Sequence, residues 1–446
     1  MYDTEVAIVG AGAAGLSLAY RLCAAKPGGR LGPEVTLVDA PAGPLRPAER
    51  TWCFWEEPGG EYDDVLAASW DRLRVRGAGG AEVVGQPSPL RYKMLRSRDF
   101  EAAVERRLGP SPFFRRLTAE VGEVAELPQG AEVRGVTAGG GPVRLRARWV
   151  FDSRPPRRLP PARTVLLQHF RGWFVRTERP VFDPATADLM DFRTPQPSHG
   201  LSFGYVLPTG PREALVEYTE FSAAVLSREE YERALRHYLT EVLETGPYEV
   251  TATEQGVIPM SDGRYPRRAG HSVFRIGAAG GATRPSTGYT FAAVQRQTRA
   301  VAEAYHQGRT PVPPSPHPAR SRAMDAVMLR ALDSGRVDGD RFFTGLFEHV
   351  PMERLLRFLD GRTRVREDFA IGLRTPVLPM LRTVAELPWL RRRSVAVSLR
   401  PGDTDGGGGA DADAGTDGGR AVTRRAPRPD ADADADADAG ADGGRP

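Results

Sequence analysis

One short run limits what this chain can fold into: Gly10-Ala11-Gly12-Ala13-Ala14-Gly15, a GxGxxG turn. The pattern alone is common, but its setting here is particular. The apolar run Thr4–Val9 before it reads as a buried strand, and the apolar stretch Ala14–Ala25 after it reads as a helix. A second strand, Glu34–Asp39, ends in an acid. Together they make a β-α-β unit suited to a dinucleotide. Gly10 permits the tight turn, Gly12 lets the backbone approach a pyrophosphate, and Gly15 lets helix and strand pack closely. Ala13 and Ala14 stand at the helix N-terminus, which favours phosphate charge. Asp39 is placed to accept hydrogen bonds from the adenosine ribose.

This motif does not separate NAD from FAD. A second element points to FAD: Arg275–Gly281, a strand running into glycines that include Gly280 and Gly281, followed by Pro285-Ser286-Thr287-Gly288-Tyr289 before a helix. A long cofactor with a flavin end needs such a second backbone-rich turn. Between the two elements the sequence is rich in strands: Glu132–Val136, Val143–Val150, Leu166–Phe174, Leu201–Leu207 and Ala214–Phe221, then an amphipathic helix over Arg228–Leu243. The expectation is an α/β fold. A discontinuous Rossmann-like domain (1–160 and 265–310) is interrupted by a β-rich substrate domain (161–264). A helical region (311–395) and a low-complexity tail (401–446) follow.

The tail holds Gly406–Gly409 and the Ala-Asp alternation of Asp430–Asp438, with no apolar surface to offset ordering, so disorder is expected there. It carries 11 Asp and 5 Arg, a net −6, so the formal +4 of the chain leaves +10 on the first 400 residues. No basic stretch is interleaved with base-stacking aromatics, which argues against nucleic acid. Cys23 and Cys53 are the only cysteines, and they make neither a zinc pattern nor a disulfide framework; no metal is expected. The chain opens on a strand-like run and has no apolar stretch long enough to span a bilayer. A cytoplasmic protein is expected, with peripheral contact with the inner face of the plasma membrane as a further expectation. The stripe Met328, Leu329, Leu332, Leu355, Leu356, Phe358 and Leu359 among many arginines suits such an interfacial surface, and equally the buried side of an amphipathic core helix. Nothing in the sequence specifies the oligomeric state.

Several stretches share an order with one known family. They are Arg50–Trp55, Arg91–Leu95 with Ser97, Val150–Pro155, Gln168–Trp173, Leu189-Met190-Asp191, Leu215–Thr219 (LVEYT) and Arg284–Tyr289, with Phe347–Gly361 in the tail segment. The chain resembles the flavoprotein lycopene cyclases of the bacterial and plant type, specifically the β-cyclases, over nearly all of Met1–Leu390. The resemblance implies conversion of lycopene or a related carotenoid to β-ionone-ended carotenes with no net redox change. It also implies reduced FAD, with NAD(P)H as electron donor. The family's acid falls on Glu217, the third position of LVEYT; the second acid often found after it is Tyr218 here.

The implied chemistry protonates an isolated alkene, so it needs a carboxylic acid kept neutral by burial, a dry cavity, and electron-rich surroundings for a cation. On a regular strand Leu215, Glu217, Thr219 and Phe221 share one face, and Val216, Tyr218 and Glu220 take the other. Phe203, Tyr205 and Leu207 share a face of the preceding strand. Glu217 is the expected acid, with Glu220 and Asp191 as further acid candidates and His349 behind them; His169 is expected to pack structurally. Arg50, Trp52, Phe54, Phe203 and Tyr205 are expected to contact the substrate. Two other readings stay open: another flavoenzyme, such as a monooxygenase or isoprenoid reductase, and a non-catalytic prenyl-binding protein on the same scaffold.

Overall fold

The computed structural model describes residues 2–24, 32–43, 45–46, 48–109, 111–156 and 158–395; the acidic tail lies outside the described residues. Thr4–Val9 is apolar because both its neighbours are strands and both its faces are covered. It pairs in parallel with Val35–Asp39 (Val6 opposite Val35) and with Pro142–Asp152 (Val6 opposite Trp149). Phe114–Thr118 adds a parallel strand beyond Val35–Asp39. Val273–Arg275, from much later in the chain, pairs in parallel with Pro142–Asp152. The fold is thus α/β, with a discontinuous parallel sheet. Helices Ala13–Cys23, Ser97–Leu108 and Phe291–His306 cover it through Leu16, Leu18, Phe100, Phe291 and Val294.

A second seven-stranded sheet runs in the order Tyr248–Ser261, Val165–Thr177, Glu213–Ser222, Leu201–Gly210, Thr186–Asp191, Arg72–Arg76, Glu82–Gly85. Two features depart from the expected division. Arg72–Arg76 and Glu82–Gly85 fall within 1–160 yet pair onto this sheet. Tyr248–Ser261 is a long strand whose first half is mostly exposed and carries no apolar alternation. The sheet's faces are distinct. Phe203, Leu207, Leu215 and Phe221 share a core with the C-terminal helices Ala319–Asp333, Gly339–His349 and Met352–Leu359. Val206, Ala214, Val216 and Tyr218 pack on helix Arg228–His237, which starts at a Ser227–Glu230 capping box and ends in a wider π turn, Tyr238–Val242.

A small sheet, Thr51–Glu56 with Arg91–Arg96 and Ala68–Trp70, joins the two cores. Trp55, Tyr92 and Met94 enter the second sheet's core; Trp52, Phe54 and Leu95 enter that of the first. The stripe expected to be interfacial turns inward. Leu329, Leu332, Leu355 and Leu356 are fully buried, and Met328, Phe358 and Leu359 pack against the same core. An amphipathic helix pattern reads the same whether its apolar side meets protein or lipid.

Candidate active site

The first glycine turn is shaped by three different constraints. Gly10 adopts φ +96° and its amide donates to the Val38 carbonyl at 2.8 Å; a Cβ there would lie 2.5 Å from Ser153 Oγ. A Cβ on Gly15 would run into the Gly10 carbonyl oxygen. Gly12 needs neither reason. Its φ is −79°, and a Cβ would meet nothing within 4 Å. Protein packing leaves Gly12 unexplained, and an outside group approaching the backbone explains it. Asp39 Oδ1 accepts from the Ala11 and Ala40 amides at 3.3 and 3.0 Å, and Arg116 holds Oδ2 at 2.7 Å, so the carboxylate is fixed beside the turn.

The second glycine turn meets the first. Gly277 adopts φ +64°, and a Cβ on it would lie 2.8 Å from the Ala14 Cβ. A Cβ on Gly280 would lie 2.5 Å from the Arg275 carbonyl oxygen, and Gly281 (φ +78°) closes the turn. Gly288, also at positive φ, lies against Gln168 on the second sheet, so a side chain there would have to displace the Gln168 amide. The buried pair Arg284–Asp325, at 2.9 Å, ties this loop to helix Ala319–Asp333, and Ser286 donates to the same Asp325 oxygen at 2.7 Å. The two turns therefore form one continuous backbone surface, which fits a dinucleotide running from the Gly10 turn towards Gly288.

Tyr289 carries that surface to the second sheet. Its hydroxyl lies 3.1 Å from that of Tyr92, and its side chain also approaches Tyr205. Tyr205 stands directly opposite Glu217 in the antiparallel register. The strand alternation expected from sequence is realised: Glu217 is buried on the face of Leu215 and Phe221. Thr219 Oγ1 donates to Glu217 Oε1 at 2.7 Å. On the other side Glu217 pairs with Gly172, which in turn pairs with Glu254 on Tyr248–Ser261. Burial above all, and then the charge of Glu254, push the Glu217 carboxyl well above the ordinary range. Burial raises Glu254 as well, while the Thr51 hydroxyl, donating at 2.7 Å, and Arg96 pull it back. Cys53 also packs here, its thiol kept neutral by burial.

Some expected residues are placed elsewhere. Trp52 stacks on Phe291 at 5.5 Å and Phe54 on the same ring at 4.7 Å, in the core of the first sheet. Strand alternation points Thr51, Cys53 and Trp55 towards Glu217 instead, and Trp55 meets Tyr289 edge-on at 4.5 Å. Arg50 lies just before that strand, its amide bonded to Ser97 Oγ at 2.9 Å; its backbone end is open to solvent, while its guanidinium is partly desolvated and feels the charge of Glu254, beside Glu217. Phe203 does line the Glu217 face, 5.1 Å from Tyr205. Asp191 does not. It is fully buried on the opposite face, held by Arg193 at 2.6 Å, Tyr238 at 2.8 Å and Arg76 at 3.7 Å. Glu220 also faces away from Glu217, beside Tyr218 and His169. His169 is locked between Tyr231 and Ser222 at 2.6 and 2.8 Å, and burial lowers it to about 4. His349 is exposed and bonds the Gly345 carbonyl.

Residues 5–385 match the sequence model of the lycopene cyclase protein family. No curated protein sequence matches significantly. Among solved structures, a flavoprotein/dehydrogenase from Cytophaga hutchinsonii superposes with TM-score 0.57 at 13% identity, over 86% of this chain and 98% of that one. A geranylgeranyl bacteriochlorophyll reductase-like protein from Thermoplasma acidophilum gives TM-score 0.54 at 14% identity, over 87% and 99%. The flavin-dependent monooxygenase PieE, solved with FAD and substrate, gives 0.55 at 16% identity, over 88% and 73%. These likenesses establish the flavoprotein fold, and the sequence match over most of its length establishes that the chain belongs to the lycopene cyclase family.

Proposed function

We propose that this chain is a lycopene β-cyclase that closes the acyclic ends of lycopene into β-ionone rings, giving γ-carotene and then β-carotene. The observation that carries this reading is Glu217. It is an acid held in its neutral form among Phe203, Tyr205, Leu215 and Phe221, on the sheet face that Tyr289 links to the glycine turns.

The Glu217 carboxyl gives its proton to the terminal alkene of an acyclic end, leaving a tertiary cation. The neighbouring double bond attacks that cation and closes the ring. A proton is lost from the adjacent ring carbon, so one proton enters, one leaves, and no electrons are exchanged. Thr219 donates to Oε1, which leaves the proton for Oε2. Glu254 acts through charge, keeping Glu217 protonated at neutral pH. The Tyr205, Tyr289 and Trp55 rings exclude water and offer electron-rich faces, each worth about 0.5–2 kcal/mol to a cation. The Gly10–Gly15 turn, Asp39, Gly280, Gly281 and Gly288 are the residues that would hold FAD. When bound there, reduced FAD, with NAD(P)H as electron donor, would supply negative charge that favours a cation.

Expression in a lycopene-accumulating host tests this. β-Carotene should replace lycopene in the pigment extract, and the purified protein should be yellow. Unchanged lycopene, or NAD(P)H oxidised in step with an oxygenated product, would overturn the assignment in favour of a binding protein or a monooxygenase.

A further inference from the structure

Among the described residues, most of the exposed large apolar side chains fall in one stretch. Val365, Phe369, Leu373, Val377, Leu378, Leu381, Val384, Trp389 and Val395 are all exposed, Phe369 at 69% and Trp389 at 85%. They lie on helices Val365–Gly372 and Val377–Glu386 and the segment after them. The helical spacing explains the face. Val365, Phe369 and Leu373 recur every four residues, as do Val377 and Leu381. The inward positions are different ones: Asp368 and Ile371 on the first helix, Met380 and Thr383 on the second. A monomer in water rarely keeps so many large apolar groups in one stretch.

The charges around this face favour one kind of partner. Arg366, Arg374, Arg382, Arg391 and Arg393 are exposed, and none makes an ion pair among the described residues. The acids of the same segment are committed elsewhere. Glu367 pairs with Arg357, Asp368 with Arg320, and Glu386 with both Arg330 and Arg336. The face therefore presents apolar side chains flanked by unpaired cations. That pattern suits the boundary between acyl chains and anionic headgroups. A second copy of the chain would bring like charges together. No helix among the described residues is long and apolar enough to cross a membrane, so the contact is with the surface.

We propose that the helix pair Val365–Glu386, with Trp389, docks the protein on an anionic lipid bilayer, with Phe369, Leu373, Leu378, Leu381 and Trp389 entering the interface. This stands on the exposed side chains and their charges, apart from the reaction proposed above. Ile371 and Met380 on the inward sides of these helices join the same large core as Phe203, Tyr205 and Leu215.

Flotation of the full-length protein with phosphatidylcholine vesicles, with and without about one-third phosphatidylglycerol, tests the proposal, together with the triple variant Phe369→Ser/Leu373→Ser/Trp389→Ser. These side chains are exposed, so the variant should keep the wild-type melting temperature. The wild type should float with the anionic vesicles and lose at least tenfold in partitioning between 50 mM and 500 mM salt. The triple variant should lose at least tenfold at low salt, and Arg374→Ser/Arg382→Ser should lose the preference for anionic over neutral vesicles. Tryptophan emission should shift to the blue on binding, and Trp389→Phe should abolish most of that shift while still floating. Equal flotation of wild type and triple variant would refute this surface. A wild type that stays at the bottom, or a dimer that the triple variant splits, would assign the face to a protein contact and overturn the lipid proposal.

Discussion

Glu217 and Glu254 flank Gly172 on three adjacent strands, on one face of the second sheet. A Cβ on Gly172 would lie 3.6 Å from Glu217 Cβ and 3.3 Å from Glu254 Cγ, so the missing side chain leaves a notch that both acids border. Two carboxyls in such a site share a proton rather than both ionising. The Thr51 hydroxyl and Arg96 favour the charged form at Glu254, which leaves the proton on Glu217.

The first prediction follows from that charge. Glu254→Gln removes a negative neighbour, so the Glu217 pKa falls. Cyclisation needs the protonated form and is lost as pH rises through that pKa. The alkaline limb of the kcat profile should therefore move to lower pH, while activity on the acid side is retained. A limb that does not move, in a variant of normal stability, would show that Glu254 has no electrostatic hold on Glu217.

Gly172→Ala tests the notch itself. The new methyl would sit 2.8 Å from Leu215 Cδ1, the far end of a flexible side chain, so the strand can accommodate it with some strain. A cost of about 1–3 kcal/mol is expected from such overpacking. Urea unfolding measures it. Pigment conversion per folded protein should fall further, because the methyl separates the two acids. Wild-type conversion per folded molecule would mean that the notch has no part in the chemistry.

The glycine turn gives a contrast between two neighbouring residues. Gly12→Val places its side chain in open space, so the melting temperature of the flavin-free protein should be nearly unchanged while bound FAD and yellow colour are lost. Gly15→Val drives a side chain into the Gly10 carbonyl and should prevent folding. If Gly12→Val keeps full FAD occupancy, the phosphate site lies elsewhere.

Much of this was legible because the relevant patterns are local. The β-α-β unit announces itself through a buried strand, a glycine turn and an apolar helix in sequence. The two faces of Leu215–Phe221 follow from simple alternation. Glu254 was not legible, because Tyr248–Thr253 is mostly exposed on an edge strand and has no apolar alternation to read. The run Tyr-Glu-Val-Thr-Ala-Thr after Gly246-Pro247 is rich in β-formers and was the available signal. Trp52 and Phe54 are close to the site in sequence, but strand parity turns them onto Phe291 and gives Thr51 and Cys53 to the Glu217 side. Both faces of the C-terminal helices carry apolar residues, and only the tertiary packing tells which set meets the core.

Asp191 separates a structural acid from a catalytic one. It is fully buried and engaged by Arg193, Arg76 and Tyr238. Asp191→Asn leaves two arginines facing a neutral group, and breaking a buried pair of this kind costs about 3–5 kcal/mol. The yield of soluble protein and the urea midpoint should drop. Turnover per folded molecule should stay close to wild type. A stable variant with greatly reduced turnover would return Asp191 to the list of acids that act on substrate.

Glu217→Gln is the decisive substitution, because it preserves shape and removes acidity. The amide oxygen can still accept the Thr219 hydroxyl, so the strand and the Tyr205 contact should persist. General acid catalysis contributes about 10²–10⁴-fold, and protonation of an alkene beside a developing cation belongs at the upper end. The variant should bind FAD with an unchanged spectrum and accumulate lycopene, while Glu220→Gln, facing the other way, should lose far less. Stability supplies an independent readout. The folded state holds the Glu217 proton above the pH at which the unfolded chain, near 4.3, has released it. The folded state therefore binds more protons in that window, and wild-type stability falls as pH rises through it. Glu217→Gln lacks this component, so its stability relative to wild type should improve between pH 5 and pH 8. If the two proteins show the same slope with pH, Glu217 does not titrate as a buried acid, and a variant that still makes β-carotene at the normal rate would remove it from the mechanism altogether.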